Sequence, residues 1–76
     1  MTREVYIGVL KSVRAQLRLA ADALDMCGTC GVAGETGNEH DRRLRLSATV
    51  RQCVLMLELD IEAAGRLAAG AEARGL

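Results

Sequence analysis

The residues best suited to chemistry are Cys27-Gly28-Thr29-Cys30-Gly31, two thiols spaced by two residues and followed by glycine. This is the local form of a zinc knuckle, in which a glycine turn lets backbone amides donate to the thiolate sulfurs. One such pair fills half of a tetrahedral shell. His40 is the candidate third ligand if the chain doubles back, and water, Glu39 or Asp41 would take the fourth place. Cys53 is excluded, because the continuous helix between it and His40 spans about 20 Å at 1.5 Å per residue. Its neighbours Val50, Val54 and Leu57 mark it as a packing residue.

The same cysteines have other readings. They form a redox dithiol, or they are inert, with Cys27 a small hydrophobe at the end of a helix and Cys30 in a loop. A thioredoxin-like role is disfavoured by position, since such a thiol sits at a helix N-terminus and Cys27 ends a helix. Two hairpin tips, each supplying Cys27 and Cys30 to one ion, would make a site of four thiolates. That arrangement resembles the zinc hook of the SMC-like DNA-repair ATPases, although Gly28 stands where the hook usually has proline. The resemblance covers only Cys27 to Gly31 and implies zinc shared between two chains.

Catalysis is not expected. A cysteine–histidine nucleophile pair needs a third group to orient the histidine and a pocket for substrate, and a short hairpin offers little concavity for either. Arg42, Arg43, Arg45 and Arg51 form the densest basic cluster and have the spacing to follow a phosphate backbone. The alternative is a solvated face that pairs with Asp22, Asp25 and Asp41. Ten basic residues balance ten acidic ones, and Tyr6 is the single aromatic, which removes base stacking and any bulk attraction to nucleic acid.

Those residues must be positioned by one small domain, because 76 residues allow no second core. No proline and a chain that is 50% hydrophobic are the composition of helices packed on helices. Nine arginines against one lysine are the usage of a GC-rich bacterial or phage genome. The longest uncharged stretch, Met26 to Gly34, is far short of the roughly 20 apolar residues that cross a bilayer. With no targeting segment and an odd number of cysteines, a cytoplasmic protein with reduced thiols is expected.

Tyr6, Leu10, Val13, Leu17, Ala20, Leu24 and Cys27 recur in steps of four and three, which is the seam of a helix packed on a helix. Thr2 as N-cap and Gly28 as the left-handed terminator predict a helix over about 3–27. Glycine at 28, 31, 34 and 37 predicts a loop over about 28–38. Asn38 is then the expected N-cap of a second helix over about 39–74. Its seam runs Val50, Val54, Leu57, Ile61, Ala64, Ala68 and Ala71. A second apolar group, Leu44, Ala48, Leu55 and Leu59, lies roughly 140° to 160° away from it at 100° per residue.

The expected fold is therefore an all-α antiparallel hairpin. Pairing Asp25 with Arg42 gives a register in which Asp22 meets Arg43 or Arg45, Arg3 meets Glu62 and Lys11 lies near Glu58. Helix 2 then outruns helix 1 by about ten residues, leaving Leu67, Ala68 and Ala71 uncovered. One partner helix cannot cover both apolar groups of helix 2, so two hairpins are expected to make a four-helix bundle as a homodimer. The small residues of Ala63-Ala64-Gly65 and Ala68-Ala69-Gly70 allow close helix approach. The expected function is a self-associating, non-catalytic interaction or regulatory module. The alternatives are a zinc or thiol sensor built on Cys27, Cys30 and His40, and a weak nucleic-acid binder using Arg42 to Arg51. Itself, or another helical protein, is the expected partner.

Overall fold

The computed structural model describes the backbone of residues 1–75 and the side chains of residues 1–70. It is a hairpin of two packed helices, α1 (Arg3–Cys30) and α2 (Gly37–Gly75). The molecule is a rod of 62 × 18 × 14 Å.

Thr2 caps α1 as its position predicts, its Oγ1 accepting from the Val5 amide at 3.2 Å. The far end differs from the expectation. The helix runs through Gly28 for one more turn, and Gly31, at φ 77°, takes the terminating position with its amide donating to the Cys27 carbonyl at 3.0 Å. A glycine inside a helix costs about 1 kcal/mol, which the extra turn of hydrogen bonds offsets. Gly31 makes a positive-φ exit that is extended in ψ, at 159°, rather than the left-handed helical one expected of Gly28.

The connection is correspondingly short. Val32 to Glu35 form a turn closed by the Glu35 amide on the Val32 carbonyl at 3.1 Å, with Gly34 at φ 72° in the third position, where such a turn needs positive φ. The cap of α2 is Thr36, not Asn38. Its Oγ1 accepts from the Glu39 amide at 3.2 Å, and its carbonyl accepts from the His40 amide at 3.1 Å. Thr36-Gly37-Asn38-Glu39 has the threonine-to-glutamate spacing of a capping box.

The seam of α2 agrees with its sequence pattern. Val54 and Ala64 are buried, and Val50, Leu57, Ile61 and Ala68 are half-buried; Ala71 lies outside the described side chains. On α1 the pattern is rotated. Leu10, Leu17 and Leu24 face the partner helix as expected, but Ile7, Arg14 and the buried Ala21 join them, while Tyr6, Val13, Ala20 and Cys27 are exposed. An arginine on a packing seam is tolerated because its methylene stem lies along apolar surface while its head reaches water.

The ion pairs also differ from the expected register. Asp25 accepts from Arg51 and, at 3.2 Å, from the buried Ser47 hydroxyl, and Arg18 pairs with Glu58. Asp25 thus meets α2 about one and a half to two and a half turns beyond Arg42. Side chains lean toward the N-terminus of their own helix, so across an antiparallel pair they reach past each other. Partners are consequently farther apart in sequence than their Cα levels alone suggest.

Candidate functional site

Cys27 and Cys30 occupy the last turn of α1, one helical turn apart and both exposed. Positions three apart on a helix share a face, so the two thiols project side by side. The amides of Gly28, Thr29 and Cys30 are spent inside the helix, so the glycine turn that would aim amides at sulfur is not formed here. A shallow groove beside the thiols is lined by Leu19, Ala23, Met26 and Val32.

His40 sits in the first turn of α2 and lines a different groove, with Leu24, Asp25, Gly28 and Thr29. Its ring faces Glu35 of the connection and Arg43 of α2. Arg43 approaches His40 Nδ1 at 3.1 Å, and Glu35 Oε2 lies 3.8 Å from the same nitrogen. Among the described residues, no three His, Cys, Asp or Glu side chains are close enough to share an ion. The fold brings Cys27 and Cys30 together and sets His40 among Glu35 and Arg43.

Glu35 and Arg43 are the feature that sequence reading missed. Arg43 pairs with Glu35, and both side chains are mostly covered, 13% and 16% exposed. Arg43 falls on the α2 seam, one turn before Ser47. The signal lay in the spacing: a glutamate just before a threonine cap and an arginine eight residues on. This pair clamps the connection onto α2 and so closes the tip of the hairpin.

The basic cluster is divided by this geometry. Arg43 and Arg51 hold Glu35 and Asp25, whereas Arg42 and Arg45 are exposed and take part in no ion pair among the described residues. Cys53 is half-buried on α2, far from the tip, which agrees with its assignment as a packing residue.

Two exposed apolar stripes flank the seam. On α1, Tyr6, Val9, Val13, Ala20, Ala23 and Cys27 continue a three-and-four step interrupted by Gln16. On α2, the exposed Leu46, Met56 and Leu67 and the half-buried Cys53 and Ala63 continue one interrupted by Thr49 and Asp60. Each stripe is rotated by about 100° from its seam in the same sense, and antiparallel helices put such positions on one face of the pair. Arg18–Glu58 and Asp25–Arg51 are rotated the other way and mark the opposite face, where Leu44 and Leu55 sit among the charges. No helix among the described residues is long and apolar enough to cross a membrane. Comparisons with family models, with curated proteins and with solved structures find no match.

Proposed function

We propose that this chain is a small non-catalytic interaction module that self-associates, two hairpins forming a four-helix bundle in the cytoplasm. The supporting observation is the shortage of core. Among the described residues only Ala21, Val54 and Ala64 are buried apolar side chains, while side chains as large as Leu19, Met26, Leu59 and Leu67 are 58–70% exposed. A hairpin of this size does not bury enough apolar surface to offset the entropy of ordering its chain. Sedimentation equilibrium at micromolar concentration tests the reading. A dimer or larger assembly is expected, and a folded monomer overturns it. Co-purification in stoichiometric complex with a different helical protein would replace the second copy by that protein.

A second reading is favoured by the exposed Cys27 and Cys30 on one helix face. The tip then acts as a zinc- or thiol-responsive element, with His40 or a second chain completing a metal shell. Native mass spectrometry distinguishes the cases: one zinc per two chains for a shared site, one per chain for a site completed by His40. Freely alkylated thiols and no zinc would make the pair inert. Cys53→Ala is expected to leave that behaviour unchanged and to cost about 1–2 kcal/mol of stability.

A further inference from the structure

We infer that Met26, Cys27 and Cys30, three sulfurs at the end of α1, form a site for one soft monovalent cation of the copper(I) class, complete within a single chain. The inference rests on the second reading above, that the thiol tip is a responsive element, and changes the ion it answers to.

Helix geometry gathers the sulfurs. Met26 and Cys27 precede Cys30 by four and three residues, so at about 100° per residue they stand about 40° to one side of it and about 60° to the other. All three line one shallow groove, whose apolar surface comes from Leu19, Ala23 and Val32. The turn that carries them is hydrogen-bonded: the Gly31 amide donates to the Cys27 carbonyl at 3.0 Å and the Thr29 hydroxyl to the Asp25 carbonyl at 3.1 Å. Both thiols are free and exposed, and Met26 is 65% exposed, so no sulfur of the three is committed to the core. The thioether of Met26 sits on three rotatable bonds, enough freedom to swing across to the pair.

Spacing separates an ion from a disulfide. Positions one turn apart have Cβ atoms about 5–6 Å apart, whereas a disulfide needs about 3.8 Å, so oxidation has to unwind the last turn of α1. Two metal–thiolate bonds of about 2.3 Å in line set the sulfurs about 4.6 Å apart, which suits that turn as it stands.

Donor count selects the cation. Zinc fills four tetrahedral positions, and the tip lacks the donors for them. His40 lines another groove and faces Glu35 and Arg43, and Cys53 lies on α2 away from the tip. Asp22 lines the sulfur groove two turns back from Cys30, yet no three His, Cys, Asp or Glu side chains among the described residues come close enough to share an ion. Sulfur alone is left. Thiolate and thioether are soft ligands, and a monovalent ion such as copper(I) is satisfied by two or three of them. Each thiol gives up its proton on binding, so two protons leave for each ion that enters.

The test titrates reduced, full-length protein anaerobically with copper(I) against a chromophoric copper(I) chelator, and X-ray absorption identifies the ligand atoms. One ion per chain, ligand atoms that are all sulfur and an unchanged helical signal in circular dichroism are expected. Cys27→Ser and Cys30→Ser are each expected to weaken binding about a hundredfold and Met26→Leu about tenfold, whereas His40→Ala and Cys53→Ala leave it unchanged. A register control moves one thiol off the face: Thr29→Cys combined with Cys30→Ser sets the pair about 200° apart on the helix and is expected to weaken binding about tenfold or more. Equal binding by that control, indifference to Met26→Leu, or loss of helical signal on loading overturns the site, because the ion is then held by an unwound chain. Copper(I) lost to the chelator while zinc is held through His40 overturns the choice of ion and leaves the responsive tip standing. Failure to hold either ion overturns both.

Discussion

The tip and the shaft of the hairpin are held by different chemistry. At the tip, directional polar contacts are concentrated: Glu35 with Arg43, Asp25 with Ser47 and Arg51, and Thr36 on the amide of Glu39. Along the shaft, Arg18–Glu58 is the one ion pair between helices among the described residues, and contact is otherwise made by Leu10, Leu17, Leu57, Ile61 and Ala64. Apolar contact is non-directional and tolerates sliding, whereas hydrogen-bonded pairs fix geometry. The tip therefore sets register, and the shaft supplies adhesion.

The contrast can be broken most severely on the shaft. Leu57→Asp places a carboxylate among half-buried seam residues, and loss of both helical signal and assembly is expected by circular dichroism and sedimentation at micromolar concentration. A folded variant would show that the seam contributes little. Glu35→Gln tests the tip. It leaves the mostly covered Arg43 without its anion, and a loss of about 2 kcal/mol is expected by urea unfolding of a variant that otherwise folds normally. A smaller effect than that of an exposed pair would remove Glu35–Arg43 from its place as the clamp.

The finest comparison sets a cap against a surface pair. Thr36→Ala removes the acceptor for the Glu39 amide and is expected to cost about 1 kcal/mol. Arg66→Ala removes the exposed contact with Glu62, 2.6 Å long and one turn away, and is expected to cost under about 0.5 kcal/mol. Thermal midpoints of the two variants rank them, and the reverse order would contradict a tip-determined fold.

The hairpin and the α2 seam were legible in the sequence because Val50, Val54, Leu57, Ile61, Ala64 and Ala68 recur without a polar interruption, whereas the neighbouring stripe on α2 is broken by Thr49 and Asp60. The α1 seam was not, because α1 carries two neighbouring apolar stripes. A step count from Tyr6 through Val13 to Ala20 runs between them, and only the fold assigns Ile7, Arg14 and Ala21 to the partner helix. Helix ends were misplaced for a related reason. Glycine recurs at 28, 31, 34 and 37, and each is a possible terminator, so hydrogen bonding at Gly31 and capping by Thr36 decide among candidates that composition leaves equal. The thiol pair was found by its spacing, but its setting in a helical turn depends on that same choice of terminator.

The 62 Å length has a hydrodynamic consequence. The Cα radius of gyration is 17.6 Å, against about 11 Å for a compact chain of 76 residues. Such a rod drags more solvent than a sphere of equal mass, so a single hairpin travels through a sizing column like a globule of much greater mass. Face-to-face pairing thickens the rod without lengthening it when the copies overlap fully, so friction grows more slowly than mass. A pair formed in that way would be the less anisotropic particle, and its elution would lie closer to its true mass than that of the single hairpin.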